Sequence, residues 1–431
     1  MSPPSRCACV SLSTPSRTSS SRGRATACSR PGNPATSCRS RRARAFAATP
    51  RSWFGGHSTV ADFSFDTLRR FPDVEADNLF AVDASDRLIL DEAATDIAAA
   101  GPGEVVVLGD RYGALAIGAT AQLGATGVRV FQDSRIGELA LERNADGVTS
   151  ETRSLPLGRE LLAGATVVLL QLPRSLAELD EIAGEIARHA ASSVVVYAGG
   201  RIKHLSLAMN EVLSRHFGSL HVSLARQKSR VLVARSPRPS EPTFPVREFN
   251  GELELWVCAH GSVFAGTKLD LGTRFLLSVL EGAKPDARNV IDLGCGTGIL
   301  AAAIAKARPE VSVLASDVSW GAVASARATM EANDLAGRVS VVGDVGLASQ
   351  PDSSADLVLL NPPFHVGSTV HTGLADGLFA DAGRVLRPGG ELWTVFNSHL
   401  AYRPTLQRLV GPTREVTRNA KFTITCSIRL Q

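Results

Sequence analysis

The chain has 431 residues, 44% hydrophobic and 20% charged, a soluble globular balance in a length that exceeds one hydrophobic core, so two domains are expected. No uninterrupted apolar stretch reaches the roughly 18 to 20 residues needed to cross a bilayer, which argues against a membrane protein. The net charge of +4 hides an asymmetry: the first 51 residues carry ten arginines and no acid, leaving −6 on the rest.

Residues 1–59 are rich in Arg, Ser, Pro and Thr and hold four of the seven cysteines (Cys7, Cys9, Cys28, Cys38). Such a composition buries too little apolar area to offset chain entropy and reads as disordered. An organelle transit peptide fits its acid-free bias, and an RNA-binding tail fits its charge. A start codon assigned too far upstream fits both and is favoured, because a globular pattern begins sharply after Val60, in VADFSFDTLRRFPD. The other cysteines, Cys258, Cys295 and Cys426, are scattered without zinc-ligand spacing. Neither a disulfide framework nor a metal is expected, which suits a reducing cytoplasm.

From residue 60 to 235 the apolar runs VVVLG, VRVFQD, TVVLLQL and SVVVYAG alternate with helical stretches. A proline-rich linker at 236–247 follows, with Pro237, Pro239, Pro242 and Pro245. Residues 248–431 repeat the alternation through NVIDLG, SVLASD, VSVVGD, LVLLN and ELWTVF. Strands apolar throughout and separated by helices predict mostly parallel α/β sheets covered on both faces. The halves also match each other: LGDRYG at 108–113 stands 185 residues before LGCGTG at 293–298, and VVLLQLPR at 167–174 stands 190 before LVLLNPPF at 357–364. A duplicated domain is predicted, with the chemistry lost from the first copy.

In the second copy, strand NVIDLG, turn CGTG and helix ILAAAIAKA form a nucleotide-type strand, glycine turn and helix. Ile299 stands where a dinucleotide fingerprint needs its third glycine, so the pattern is D-x-G-x-G-x-G. Asp317 and Asp344 end the next two strands. Acids at successive strand ends suit a nucleoside and repel a pyrophosphate, although single strand-end aspartates commonly cap the following helix. After the fourth strand, Asn361-Pro362-Pro363-Phe364 falls at the mouth of the same crevice. A diproline turn would present the Asn361 side-chain oxygen and the Pro362 carbonyl as two acceptors for a planar amine, with Phe364 stacking on the ring that bears it. A local cap in a proline turn is the bland alternative. His365, His371 and His399 are read as structural.

DLGCGTG, Asp317, Asp344 and NPPF together resemble the class I S-adenosylmethionine-dependent methyltransferases of exocyclic amines. VFAGTKLDLGTRFLLSVL (263–280) and RNAKFTITCSIRL at the carboxyl end narrow the resemblance to the RsmC/RlmG family of ribosomal RNA guanine-N2 methyltransferases. The resemblance implies two tandem Rossmann-like domains in mixed, mostly parallel sheets, the first degenerate and used for RNA recognition, the second catalytic. S-adenosyl-L-methionine would be held by Asp292, Gly294, Cys295, Gly296 and Gly298, with Asp317 at the ribose and Asp344 near the adenine. Asp270 and Gly272 would close that pocket, and Asn361, Pro362, Pro363 and Phe364 would hold a flipped guanine. No metal and no membrane are implied, and a cytoplasmic monomer acting on ribosomal RNA or a ribosomal subunit is expected. LDLGTRF and NAKF lean toward the large-subunit 23S enzyme over the 16S one. Methylation of DNA adenine or of a protein glutamine, or an inactive assembly scaffold, are the competing readings. In the first copy Arg111 and Gln171-Leu172-Pro173-Arg174 replace key positions, so no cofactor is expected there. Basic clusters at 201–247 and 403–429, with local balances of +7 and +5, suggest phosphate contacts.

Overall fold

Short β-branched runs form the central strands of two sheets in the computed structural model, which describes residues 63–148, 152–362 and 372–430. The first sheet contains β1 (Val105–Leu108), β2 (Val128–Phe131), β3 (Thr152–Ser154), β4 (Val167–Gln171), β5 (Val195–Arg201), β6 (Phe217–Val222) and β7 (Ser229–Pro237). Its helices are α1 (Ala84–Ala99), α2 (Ala114–Ala121), α3 (Arg135–Ala145), α4 (Arg159–Leu162), α5 (Leu176–His189) and α6 (Leu207–His216). A hairpin of β8 (Val246–Asn250) and β9 (Leu255–Ala259) follows. The second sheet contains β10 (Asn289–Leu293), β11 (Ser312–Asp317), β12 (Val339–Gly343), β13 (Ala355–Leu360), β14 (Leu386–Asn397), β15 (Thr413–Arg418) and β16 (Phe422–Ile428). It is flanked by α7 (Leu271–Leu277), α8 (Ile299–Ala307), α9 (Trp320–Ala332), α10 (Thr372–Val385) and α11 (Arg403–Leu409).

The strand orders are β3-β2-β1-β4-β5-β7-β6 and β12-β11-β10-β13-β14-β16-β15, the same order twice. In each sheet the first five strands are parallel, and the last two pair antiparallel. The tandem mixed α/β architecture expected from the repeat is therefore present. The proline-rich segment is shorter than its composition suggests, because β7 runs on to Pro237 and β8 begins at Val246.

Burial on both faces explains the unbroken apolar strands. Val105 and Val107 pack with Leu115 and Ile117 on one face of the first sheet. Val106 and Leu108 pack with Leu179 and Ile182 on the other. The second sheet divides likewise, with Val290 on one side and Ile291 and Leu293 on the other. Period-two side chains on a sheet covered by helices produce this division. The strand order reverses between β10 and β13, and that crevice is where an open α/β sheet receives ligands.

Candidate active site

The turn from β10 to α8 is built on three left-handed glycines, Gly294, Gly296 and Gly298, with φ of 72°, 55° and 77°. A Cβ added at Gly294 or Gly296 would meet nothing within 4 Å, so the turn presents bare backbone to open space. At Gly298 a Cβ would lie 2.8 Å from Met330 Cε and 3.1 Å from Ala326 Cβ, so this glycine lets α8 pack on α9.

Three acids border the turn. Asp292 is fully buried, and its Oδ2 accepts the Ala301 N–H at 3.0 Å. Its Oδ1 is buried without a hydrogen-bond partner among the described residues. Burial, with Asp317 nearby, pushes its pKa up to about 7. Asp317 accepts the N–H of Gly296 and of Ser319, each at 3.0 Å, and burial raises its pKa too. Asp344 joins the group through its own N–H, which donates to the Asp317 carbonyl at 3.0 Å. Its carboxylate receives Val345 N–H, Ser349 N–H and the Ser349 hydroxyl, so it closes the turn between β12 and β13, where no helix follows for it to cap. Cys295 is buried in the turn, and its N–H donates to the Ser316 carbonyl at 3.0 Å.

Across the crevice, Asn361 follows Leu360, whose strand partner is Leu293. The Asn361 Nδ2 donates to Asp270 Oδ2 at 3.0 Å and to Thr273 Oγ1 at 3.1 Å. With both amide hydrogens committed, Oδ1 is left buried and without a partner among the described residues. Asp270 N-caps α7, its Oδ2 also accepting Gly272 N–H at 2.9 Å and Thr273 N–H at 3.1 Å. A Cβ at Gly272 would sit 3.0 Å from Asp270 Oδ2 and 3.2 Å from Asn361 Oδ1, so glycine permits this approach. Asp270 and Gly272 thus act on Asn361 in this geometry, where the sequence suggested closure of the cofactor pocket. Thr273 was not singled out by the sequence; the D-x-x-T spacing of an N-cap is the signal that could have found it. Pro362 is buried. Pro363, Phe364, His365 and His371 lie outside the described residues, and His399 is exposed.

Among the described residues no helix is long and apolar enough to cross a membrane, and no group of three His, Cys, Asp or Glu could hold a metal. Part of the basic surface read from sequence is neutralised by acids distant along the chain. Arg215 pairs with Asp180 at 2.9 Å, Arg235 with Asp96 at 3.5 Å and Arg226 with Asp91. In the second cluster Arg408 pairs with Asp376 at 3.4 Å. A local count along the chain could not see these partners, which the fold supplies.

The comparisons with known proteins bear on the same regions. Residues 58–238 match the RLMG N-terminal domain, and residues 254–426 match the methyltransferase small domain. The ribosomal RNA large subunit methyltransferase G of Streptomyces avermitilis is 37% identical over 376 residues, covering 84% of this chain and 96% of that protein. This chain belongs to the ribosomal RNA large subunit methyltransferase G family. The family protein of Pseudomonas paraeruginosa is 36% identical, over 83% of this chain and 96% of that one. Among solved structures, the T. thermophilus 16S rRNA N2 methyltransferase RsmC, in complex with AdoMet and guanosine, aligns with a TM-score of 0.63. It is 22% identical, covering 79% of this chain and 92% of that chain, and it shows the shared tandem methyltransferase fold.

Proposed function

We propose that the chain transfers a methyl group from S-adenosyl-L-methionine to the exocyclic N2 amine of a guanine in ribosomal RNA, with 23S RNA as the substrate that the family name supports. The carrying observation is Asn361, whose amide hydrogens are held by Asp270 and Thr273 while its Oδ1 stays buried and without a partner among the described residues. A buried acceptor without a partner costs about 1–3 kcal/mol. An amine N–H entering the crevice would recover that energy, and no donor of the described chain does so.

S-adenosyl-L-methionine, when bound, supplies an electrophilic methyl group on a sulfonium whose departure makes the transfer favourable. The residues present fit it. Asp292 offers to a cationic group a carboxylate oxygen that has no partner among the described residues, the bare backbone of Gly294 and Gly296 allows close approach, and Asp317 ends the strand beside the turn, where such folds take ribose hydroxyls. Cys295 and Gly298 shape this wall, and Asp344 holds the turn beyond it. Asn361 Oδ1 would accept one amine hydrogen and the Pro362 carbonyl the other, orienting the nitrogen lone pair toward the methyl donor. The sequence also assigns Pro363 and Phe364 to the guanine. A general base is not required, since the product ammonium can lose its proton to water. The first domain is assigned to RNA recognition, and one chain carries every part invoked, so a cytoplasmic monomer is proposed.

The test is transfer of labelled methyl from S-adenosylmethionine to deproteinised ribosomal RNA, with nucleoside analysis. Wild-type enzyme should yield N2-methylguanosine, and Asn361→Ala should lower kcat by roughly 10² while binding cofactor within a few-fold of wild type. Label in DNA or protein would move the reading to those substrates. Absence of label with RNA and ribosomal subunits alike would favour the scaffold.

A further inference from the structure

The first domain keeps the shape of the active-site turn while changing its chemistry. Gly109, Arg111 and Gly113 have φ of 72°, 54° and 96°, against 72°, 55° and 77° at Gly294, Gly296 and Gly298. Arginine therefore occupies a left-handed position that glycine takes in the other copy, a strained conformation that tends to persist where it serves a function. Leu170 pairs with Leu108 as Leu360 pairs with Leu293, so Gln171 stands where Asn361 stands. Its amide is spent internally: Nε2 donates to Ser85 Oγ at 3.2 Å and to Asp86 at the start of α1. The equivalent of the amine acceptor is thus closed.

What remains is a small pocket at the same crevice, lined by Arg111, Arg174, Arg201 and His204 and by one acid, Asp83, whose Oδ1 is taken up by the Ser85 N–H and hydroxyl. Lys203 lies beside it, between Arg201 and His204 in the chain. Several other arginines of this domain, among them Arg215, Arg226 and Arg235, are paired with carboxylates. Among the described residues, Arg111, Arg174, Arg201 and Lys203 have no carboxylate within 4 Å. The His204 imidazole registers their convergence. Lost hydration, then Arg174, Lys203, Arg111 and Arg201, hold its pKa below the usual histidine value. Like charges gathered around one crevice, on a face with exposed side chains, call for an anion.

We infer that the former catalytic crevice of the first domain is a phosphate-binding site that grips the backbone of the RNA substrate through Arg111, Arg174 and Arg201. The inference rests on the RNA reading of the second domain. Guanidinium forks suit bidentate contact with phosphate oxygens, and the closed Gln171 excludes the amine chemistry of the other copy. The site anchors the strand without reading bases.

The experiment is binding of a labelled ribosomal RNA fragment across a salt series, by full-length wild type, Arg174→Ala/Arg201→Ala, and the charge-reversed Arg174→Glu. The double variant should bind at least tenfold more weakly at 0.1 M salt, with a log–log salt slope shallower by about 1.4, the change for two phosphates on single-stranded RNA. Cofactor affinity and melting temperature should stay at wild-type values, which excludes misfolding, and Arg174→Lys should recover most of the slope. RNA affinity and slope unchanged in both the double and the reversed variant would overturn the site. So would unchanged RNA binding with millimolar inorganic phosphate protecting the wild type alone, since the crevice would then serve a free anion. If wild type binds RNA but methylates none, the methyltransfer reading fails separately.

Discussion

Thr273 takes one of the two Asn361 amide hydrogens at 3.1 Å, and Asp270 takes the other. Thr273→Val keeps the volume but removes the acceptor, which leaves the amide free to turn and Oδ1 less firmly aimed. We expect kcat to fall about tenfold, some 1.4 kcal/mol, with cofactor affinity unchanged and Thr273→Ser close to wild type. Single-turnover methylation would read it, and an unchanged rate would mean that Asp270 alone fixes the amide. Asp292 makes a pH-dependent prediction of definite sign. Its pKa of about 7 in the folded chain lies above the ordinary 3.8. Below pH 4 it is protonated in both folded and unfolded chains and affects stability little. Between about 4 and 7 the native state keeps a proton that the unfolded chain has lost, so stability falls as pH rises, and the full cost stands above 7. Asp292→Asn should match wild type in melting temperature near pH 4 and exceed it above pH 7, while losing cofactor affinity. A cationic ligand pulls the wild-type carboxyl back to its charged form, so cofactor binding near pH 6.5 should release a proton. Calorimetry in buffers of different ionisation heat would detect it, and no proton release would show that Asp292 does not meet the ligand's positive charge.

At the scale of the element, the two glycine turns form a natural exchange experiment. Gly296→Arg places in the second turn what the first already tolerates at φ 54°. The backbone should hold, at a cost of about 1–3 kcal/mol, while the side chain fills the open face and reduces cofactor affinity more than a hundredfold. Equilibrium binding alongside a thermal melt separates the two effects. Arg111→Gly should restore no cofactor binding, because Val107 stands where Asp292 stands and the Gln171 amide is consumed. These elements were legible in the sequence because glycines, strand-end acids and apolar runs are local signals. The antiparallel edge strands were less so. In β15, TREVTR, only Thr413 is buried, while Arg414, Glu415 and Arg418 are exposed and Val416 and Thr417 half-buried, since an edge strand does not need the continuous burial that marks β10 or β13. Contacts such as Asn361 with Asp270, 91 residues apart, depend on placement that no local pattern encodes.

The whole molecule is held by its own repetition. The loops that follow β2 and β11 meet in a bridge, where Arg135 N–H donates to the Val318 carbonyl at 2.9 Å and Trp320 N–H to the Asp133 carbonyl at 2.6 Å. Both pairs are related by the 185-residue offset that relates the glycine turns. Asp133 Oδ1 also accepts Gly321 N–H and the Ser262 hydroxyl, each at 3.0 Å, so the first domain braces the loop just beyond Asp317. Trp320 stacks edge-on against Phe131 and His260. Glu181 accepts His260 Nδ1 at 2.5 Å and Gly261 N–H at 2.7 Å, tying α5 to the second half. This seam contains a cost. Glu178, half-buried beside Asp133 and Glu181, has its pKa pushed up to about 8, first by lost hydration and then by those two acids. The ordinary value is 4.5, so the native state retains the Glu178 proton through a window in which the unfolded chain has released it. Stability therefore declines from about pH 4.5 to 8 on this account, and the loss is complete above 8. Glu178→Gln keeps the shape and removes the charge. Its melting temperature should equal that of wild type near pH 4.5 and rise above it by a few degrees at pH 8.5. That corresponds to about 1–2 kcal/mol once water reaching the half-buried group is allowed for. Because the seam buttresses the Asp317 loop, the variant should bind cofactor at least as well as wild type at the higher pH. A pH-independent offset would instead mean that packing of the side chain, and not its ionisation, governs the seam.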